Sequence, residues 1–152
     1  MAAITSIMTL GGKVCMDSRA EEISVVRKAD GTIQAGWLAA CTDGSTAVAC
    51  NPTGSLDELI GIALPRYDTE PSAAYTATRL IDIVIPQGGH LYNVKIKDPG
   101  GTLYAGEPLI PIASAGDAGE LDKAGDIEAE HMARLFDSVL DNTTYATVIW
   151  GV

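Results

Sequence analysis

The chain writes one phrase twice, and any fold it adopts must accommodate both copies. The first is "KADGTIQAGWLAACT", residues 28–42, and the second is "DPGGTLYAGEPLIPIA", residues 98–113. Both contain Gly-Thr-apolar-x-Ala-Gly and then run on into apolar residues. A Gly after Asp or Gly permits the positive φ of a hairpin turn. Thr suits the opening of a strand. The small Ala-Gly pair lets the chain bend sharply, or lets another backbone come close, as at the corner of a barrel. The phrase describes architecture and carries no catalytic chemistry.

The likeness between the halves extends further. The first half reads "GTIQAGWL", a variable loop, "ELIGIAL", a loop, then "RLIDIVI". The second reads "GTLYAGEPL", a variable loop, "HMARLF", a loop, then "YATVIWG". The spacing from Gly31 to Leu59 is close to that from Gly101 to Met132. A duplicated strand-turn-strand unit accounts for this, and so does convergence on similar hairpins. Between the halves, "HLYNVKIKD" alternates, with Leu91, Asn93, Lys95 and Lys97 on one face and Tyr92, Val94 and Ile96 on the other. Local propensity favours helix over residues 127–134. The turn at Asp141-Asn142 before the terminal strand "YATVIWGV" favours strand over residues 132–140 instead.

The fold expected from these signals is all-β, or mostly β with one short helix. It is a compact β-barrel or sandwich built from two similar hairpin units. Residues 14–152 are expected to form a single β-barrel domain, with residues 1–13 as an N-terminal arm. The arm, "AAITSIMTLGG" in its body, is small and mildly apolar. It reads equally well as a first strand of the domain's own sheet.

Composition narrows the function. The chain has 152 residues, of which 47% are hydrophobic, enough to bury a core in one domain. Aromatics are only 5%, so that core must be built from Ala, Val, Ile and Leu. Sixteen Gly and seven Pro favour turns and short strands. The net charge of −10 repels nucleic-acid backbone and anionic membrane, and no Lys or Arg cluster offsets it. Direct nucleic-acid binding is therefore not expected. An acidic surface suits a soluble protein, and also one that works in high salt. No run approaches the roughly 18 apolar residues that span a bilayer. Residues 1–13 lack the basic leader of a signal peptide.

Reactive groups give no constellation in the sequence. Cys15, Cys41 and Cys50 are odd in number and widely spaced, which is no disulfide framework, and Cys41 reads as a small core residue rather than a nucleophile. His90 and His131 lack the close Cys or His partners of a zinc site. Glu128, Glu130 and His131 read as a solvated edge in preference to a metal site. Asp117, Glu120, Asp122 and Asp126 do not match EF-hand spacing. "CTDGST" offers hydroxyls and a thiol without a nucleophile elbow. No catalytic residue, metal ligand or cofactor is expected, and the chain is not expected to be an enzyme.

Taken together, "xDGTIQAGWLxAC", "LIGIAL", "RLIDIVIPQGG", "GGTLYAGEPL" and the terminal "ATVIWGV" resemble the small capsid decoration, or cement, proteins of tailed viruses. The resemblance covers residues 23–152. It implies a β-barrel-like virion protein, made in the host cytoplasm and seated on the outer capsid surface. It implies the major capsid protein as partner, a homo-oligomer that is a trimer by preference, and no membrane or nucleic acid contact. Its work would be to bridge neighbouring capsid subunits and stabilise the expanded shell. The interface candidates are Ile4, Ile7, Met8 and Leu10 in the arm, with Trp37, Tyr104 and Trp150 as aromatic anchors. A small β-barrel binding or adhesion module is the alternative, and an enzyme with a spatially assembled site is a more distant one.

Overall fold

A computed structural model describes residues 2–16, 24–29, 32–41, 46–49, 59–65, 70, 72–75, 79–111, 119–124 and 131–152. The architecture is all-β, as expected, and one 3-10 turn at Ile7–Leu10 is the sole helical element among these residues. The strands are β1 (Ser24–Ala29), β2 (Leu38–Cys41), β3 (Thr46–Ala49), β4 (Leu59–Ala63), β5 (Leu80–Val84), β6 (Leu91–Lys95), β7 (Pro108–Pro111), β8 (Leu121–Lys123), β9 (Ala133–Leu135) and β10 (Tyr145–Trp150).

The repeat seen in the sequence is a repeat of topology. In the first unit β1, β3, β2, β4 and β5 pair in that order, and β5 returns to β1, closing a small ring. In the second unit the order is β6, β10, β9, β7, β8. That is the same circuit, with β6 in the place of β1 and β10 in the place of β5. Register agrees as well as order. Lys28 faces Leu80 in the first unit, and Lys95 faces Tyr145 in the second. Ala39 faces Ala49 and Gly61, whereas Leu109 faces Lys123 and Ala133. The first unit closes through a parallel pairing of β1 with β3 at Lys28–Thr46 and Ala29–Ala47. The second closes at one parallel bridge, Ile96–Leu121, placed where Ala29–Ala47 stands. The described strands thus form two five-stranded units of the same order.

The Ala-Gly bend works the same way in both. Gly36 and Gly106 have φ of 88° and 91°. The Gly36 N–H donates to Ala63 O at 2.8 Å, and the Gly106 N–H donates to Leu135 O at 2.7 Å. This positive φ excludes most side chains, which is why the phrase keeps Gly there. The stretch "TIQAGWLAAC" is therefore interrupted, and its regular part is β2 alone. In the same way the strand expected over residues 132–140 is β9, a turn, and an isolated bridge from Val139 to Leu103. Residues 127–130 lie outside the described residues. β8, the counterpart of β3, lies in a stretch rich in acid and glycine.

The two interiors fill similar space with different residues. The first unit packs Ala29, Ala39 and Ala63 around Tyr75, Ile81 and Ile83. At the matching positions the second unit packs Ile96, Leu109 and Leu135 around Val139, Ala146 and Val148. Small side chains on one side of the first interior are offset by a tyrosine on the other. The second exchanges them the opposite way, which is how cores tolerate wholesale substitution at constant volume. Tyr75 buries its ring and donates its hydroxyl to Leu64 O at 3.0 Å.

Residues 2–16 do not reach outward here. They form a strap across the outer face of β6 and β10. Ile4 O accepts from the N–H groups of Thr144 and Tyr145, at 2.8 and 3.2 Å. Cys15 bridges Tyr92 in antiparallel fashion, and Asn93 N–H donates to Val14 O at 2.8 Å. Ile7 and Val14 are buried in the core shared by both units. Asn93 is fully buried, and its amide holds the strap by donating to Lys13 O at 2.8 Å, while its Oδ1 accepts from Thr147 Oγ1 at 2.6 Å. Every polar atom of this buried amide is thereby engaged, as burial demands.

A surface turn gives a pH-dependent contribution. Asp98 Oδ1 accepts from Gly100 N–H at 3.0 Å and Asn142 N–H at 2.9 Å. These two backbone donors, Gly100 first, hold its carboxyl below the usual carboxylate range. The folded chain therefore holds this proton less tightly than the unfolded chain. Asp98 stabilises the fold at neutral pH, and that contribution fades as pH falls through its lowered value. We expect Asp98→Asn to melt earlier than the parent at neutral pH, with the gap in Tm narrowing below about pH 3.9. A gap that stays constant on acidification would count against this role.

Candidate functional site

Two features of the surface combine chemistry from separate elements. The first is the seam between the units. The hairpin of the first unit, Gln34 to Trp37, packs on the outer face of β6 and β10. Lys95 N–H donates to Gly36 O at 2.9 Å. The Trp37 indole Nε1–H donates to the Tyr145 hydroxyl at 3.1 Å, and that hydroxyl lies 3.4 Å from Gln34 Oε1. The Lys95 ammonium stands 4.0 Å from the centroid of the Trp37 ring and 2.8 Å from Glu120 Oε1. Burial pushes the Tyr145 hydroxyl up from its ordinary pKa; the Trp37 donor opposes this and Glu120 adds to it. A cation held between an aromatic face and a carboxylate, both largely shielded from water, is a staple. It ties the first-unit hairpin to β6 and β10 of the second unit.

The second feature is a groove of about 270 Å³ where the strap meets the second unit. Ile4 and Leu10 line it from the strap, and Asp137, Ser138, Val139 and Thr147 line it from the fold. Exposed aromatic and sulfur side chains lie close to its lining residues along the chain. Phe136 precedes Asp137 in the chain, and Met8 belongs to the same 3-10 turn as Leu10. Tyr104 lies on the hairpin tied to Ser138 Oγ by the Ala105 N–H at 2.9 Å. An apolar groove on the surface is suited to another protein.

The residues singled out from the sequence divide accordingly. Ile4 and Leu10 line the groove, and Met8 and Tyr104 are exposed. Ile7 is buried, and it packs against Gly36 and the shared core. Trp37 belongs to the seam, and Trp150 packs edge-on against Tyr92, with ring centroids 6.3 Å apart. Phe136, next to Asp137 of the groove, is exposed too without having been singled out. The signal available was its position as the one apolar residue of "LFDSV" left over after Leu135 and Val139 are assigned inward.

The other candidates stay apart. His131 Nε2 lies 2.6 Å from Val152 O, and His90 O accepts from Trp150 N–H at 3.0 Å. Among the described residues no three His, Cys, Asp or Glu side chains gather as a metal ion requires. Cys50, Asp117, Asp126, Glu128 and Glu130 lie outside the described residues. Among the described residues no helix is long and apolar enough to cross a membrane.

No protein-family model matches the chain, and no curated protein is significantly similar to it in sequence. Among solved structures, the fold is similar to that of the N base of the head fiber gp8.5 of bacteriophage phi29. The TM-score is 0.51 at 12% identity, over 86% of this chain and 94% of that one. At that identity the likeness is one of fold: this chain shares the β architecture of a phage head fiber base.

Proposed function

We propose that the chain is a structural protein of a phage virion, which binds the outside of the capsid and cements neighbouring major capsid subunits. The observation that carries the reading is the likeness of fold to a phage head fiber base across nearly the whole of both chains. Two further features support it. The buried polar clusters are internal staples, at Asn93 and at Trp37–Lys95–Glu120. Ile4 and Leu10 line an apolar groove suited to a protein partner, and Met8 and Phe136, close to its lining in sequence, are exposed. A cement protein needs a stiff core and adhesive outer contacts, which bind neighbouring subunits without a reaction centre.

Co-sedimentation with expanded empty capsids of candidate tailed phages tests it. The parent chain should pellet with its shell, and the shell should then resist heating better. Phe136→Glu with Met8→Glu should remain in the supernatant while melting like the parent, since both side chains are exposed. Failure of the parent to bind any shell would sink the reading. Binding unaltered by the two substitutions would move the contact away from the groove. Removing residues 1–12 is a poor control here, because it also removes Ile7 from the core.

A further inference from the structure

The repeat makes the seam a template for a second contact. Inside one chain, the hairpin of the first unit docks on the strand pair β6–β10 of the second. Each partner in that contact has a counterpart in the other unit. By the repeated phrase, Gln34, Gly36 and Trp37 correspond to Tyr104, Gly106 and Glu107. By register, Lys95 and Tyr145 correspond to Lys28 and Leu80. The side chains of the counterparts reach solvent, Glu107 being half-buried, although the Lys28 backbone is already paired with Thr46 of β3. Tyr104 is 69% exposed, Leu80 is 54% exposed, and Lys28 is also exposed. Val26, beside them on the same face, is exposed too, whereas its counterpart Asn93 is buried under the strap.

We propose that a second copy of the chain covers these surfaces head to tail, with the hairpin at residues 104–107 of one copy on the β1–β5 face of the next. The chemistry is complementary position by position. The Gln34–Tyr145 pair of the seam is replaced by Tyr104 against Leu80, an aromatic ring on an aliphatic side chain. The Trp37–Lys95 pair is replaced by Glu107 against Lys28, a carboxylate facing an ammonium. Positions that carry a polar pair and a cation–π pair inside the chain thus carry an apolar pair and an ion pair between chains. A contact between two different surfaces of the same molecule repeats around a ring or along a filament, and each chain then contributes two units to the assembly. This contact rests on the internal repeat and stands or falls separately from capsid binding.

Sedimentation velocity across a wide range of concentration tests it on the full chain. The parent should form assemblies larger than a monomer. Lys28→Glu and Glu107→Lys should each weaken association at least tenfold, because each places like charges in contact. The double variant Lys28→Glu with Glu107→Lys should recover association, since it only reverses the pair. Circular dichroism melts should match the parent in all three. A parent that stays monomeric throughout, a single variant that associates as the parent does, or a double variant that does not recover would each overturn the contact.

Discussion

Gly61→Ala should abolish the fold or bring it close to doing so. A Cβ at this position would overlap the carbonyl oxygen of Val84 and stand 2.8 Å from Ile83 Cγ2. The Val84 backbone cannot retreat, because it is paired with Ile62 on one side and Ser24 on the other. The adjacent register of β4 against β2 already shifts between Ala39 and Ala40, so the strand has little freedom left. Overpacking against main chain leaves no rotamer as an escape, and a loss of at least about 3 kcal/mol is expected. Urea titration followed by circular dichroism would measure it. A variant within about 1 kcal/mol of the parent would mean that β4 and β5 are not packed as described. The second unit carries Ala133 at the matching place, so the close approach belongs to the first unit alone.

Ile7→Ala should cost about 2–4 kcal/mol, although the residue lies in a segment that reads as a detachable arm. Its side chain is 1% exposed, and its Cδ1 lies 3.1 Å from where a Cβ of Gly36 would stand. Truncation would therefore open a cavity beneath the strap, between it and the first-unit hairpin. Met8→Ala, one residue along and exposed, is the matched comparison and should change stability by less than about 0.5 kcal/mol. Equal effects of the two substitutions in thermal melts would show that the strap is not docked.

The docking also explains why an outward-reaching arm was a reasonable expectation. "AAITSIMTLGG" is apolar enough to cover a face but names no face. Its receptor is Asn93, which in the sequence is only a polar residue on one side of an alternating strand. The value of that amide depends on Leu10, Lys13, Met16 and Thr147 arriving around it. Sequence distance hides such a convergence completely. The groove shows the same limit. Ile4, Leu10 and Tyr104 could be picked out as apolar residues with no obvious inward role, but Ser138 and Thr147 beside them carry no signal until the strap lies across β10. β8 is hidden in the sequence for a simpler reason. It is three residues long, with one inward apolar residue, Leu121, in a stretch otherwise rich in acid and glycine.

Local chemistry by itself determined the β class and the doubled unit. Alternation, turn glycines and the Ala-Gly bend act over a few residues and leave their mark in the order of residues. Tertiary structure alone decided that the units pack through a Trp37–Lys95–Tyr145 seam, that the first residues fold back as a strap, and which apolar side chains remain outside. Those outcomes depend on which surfaces are already covered when the units meet, and burial of that kind is a property of the whole assembled chain.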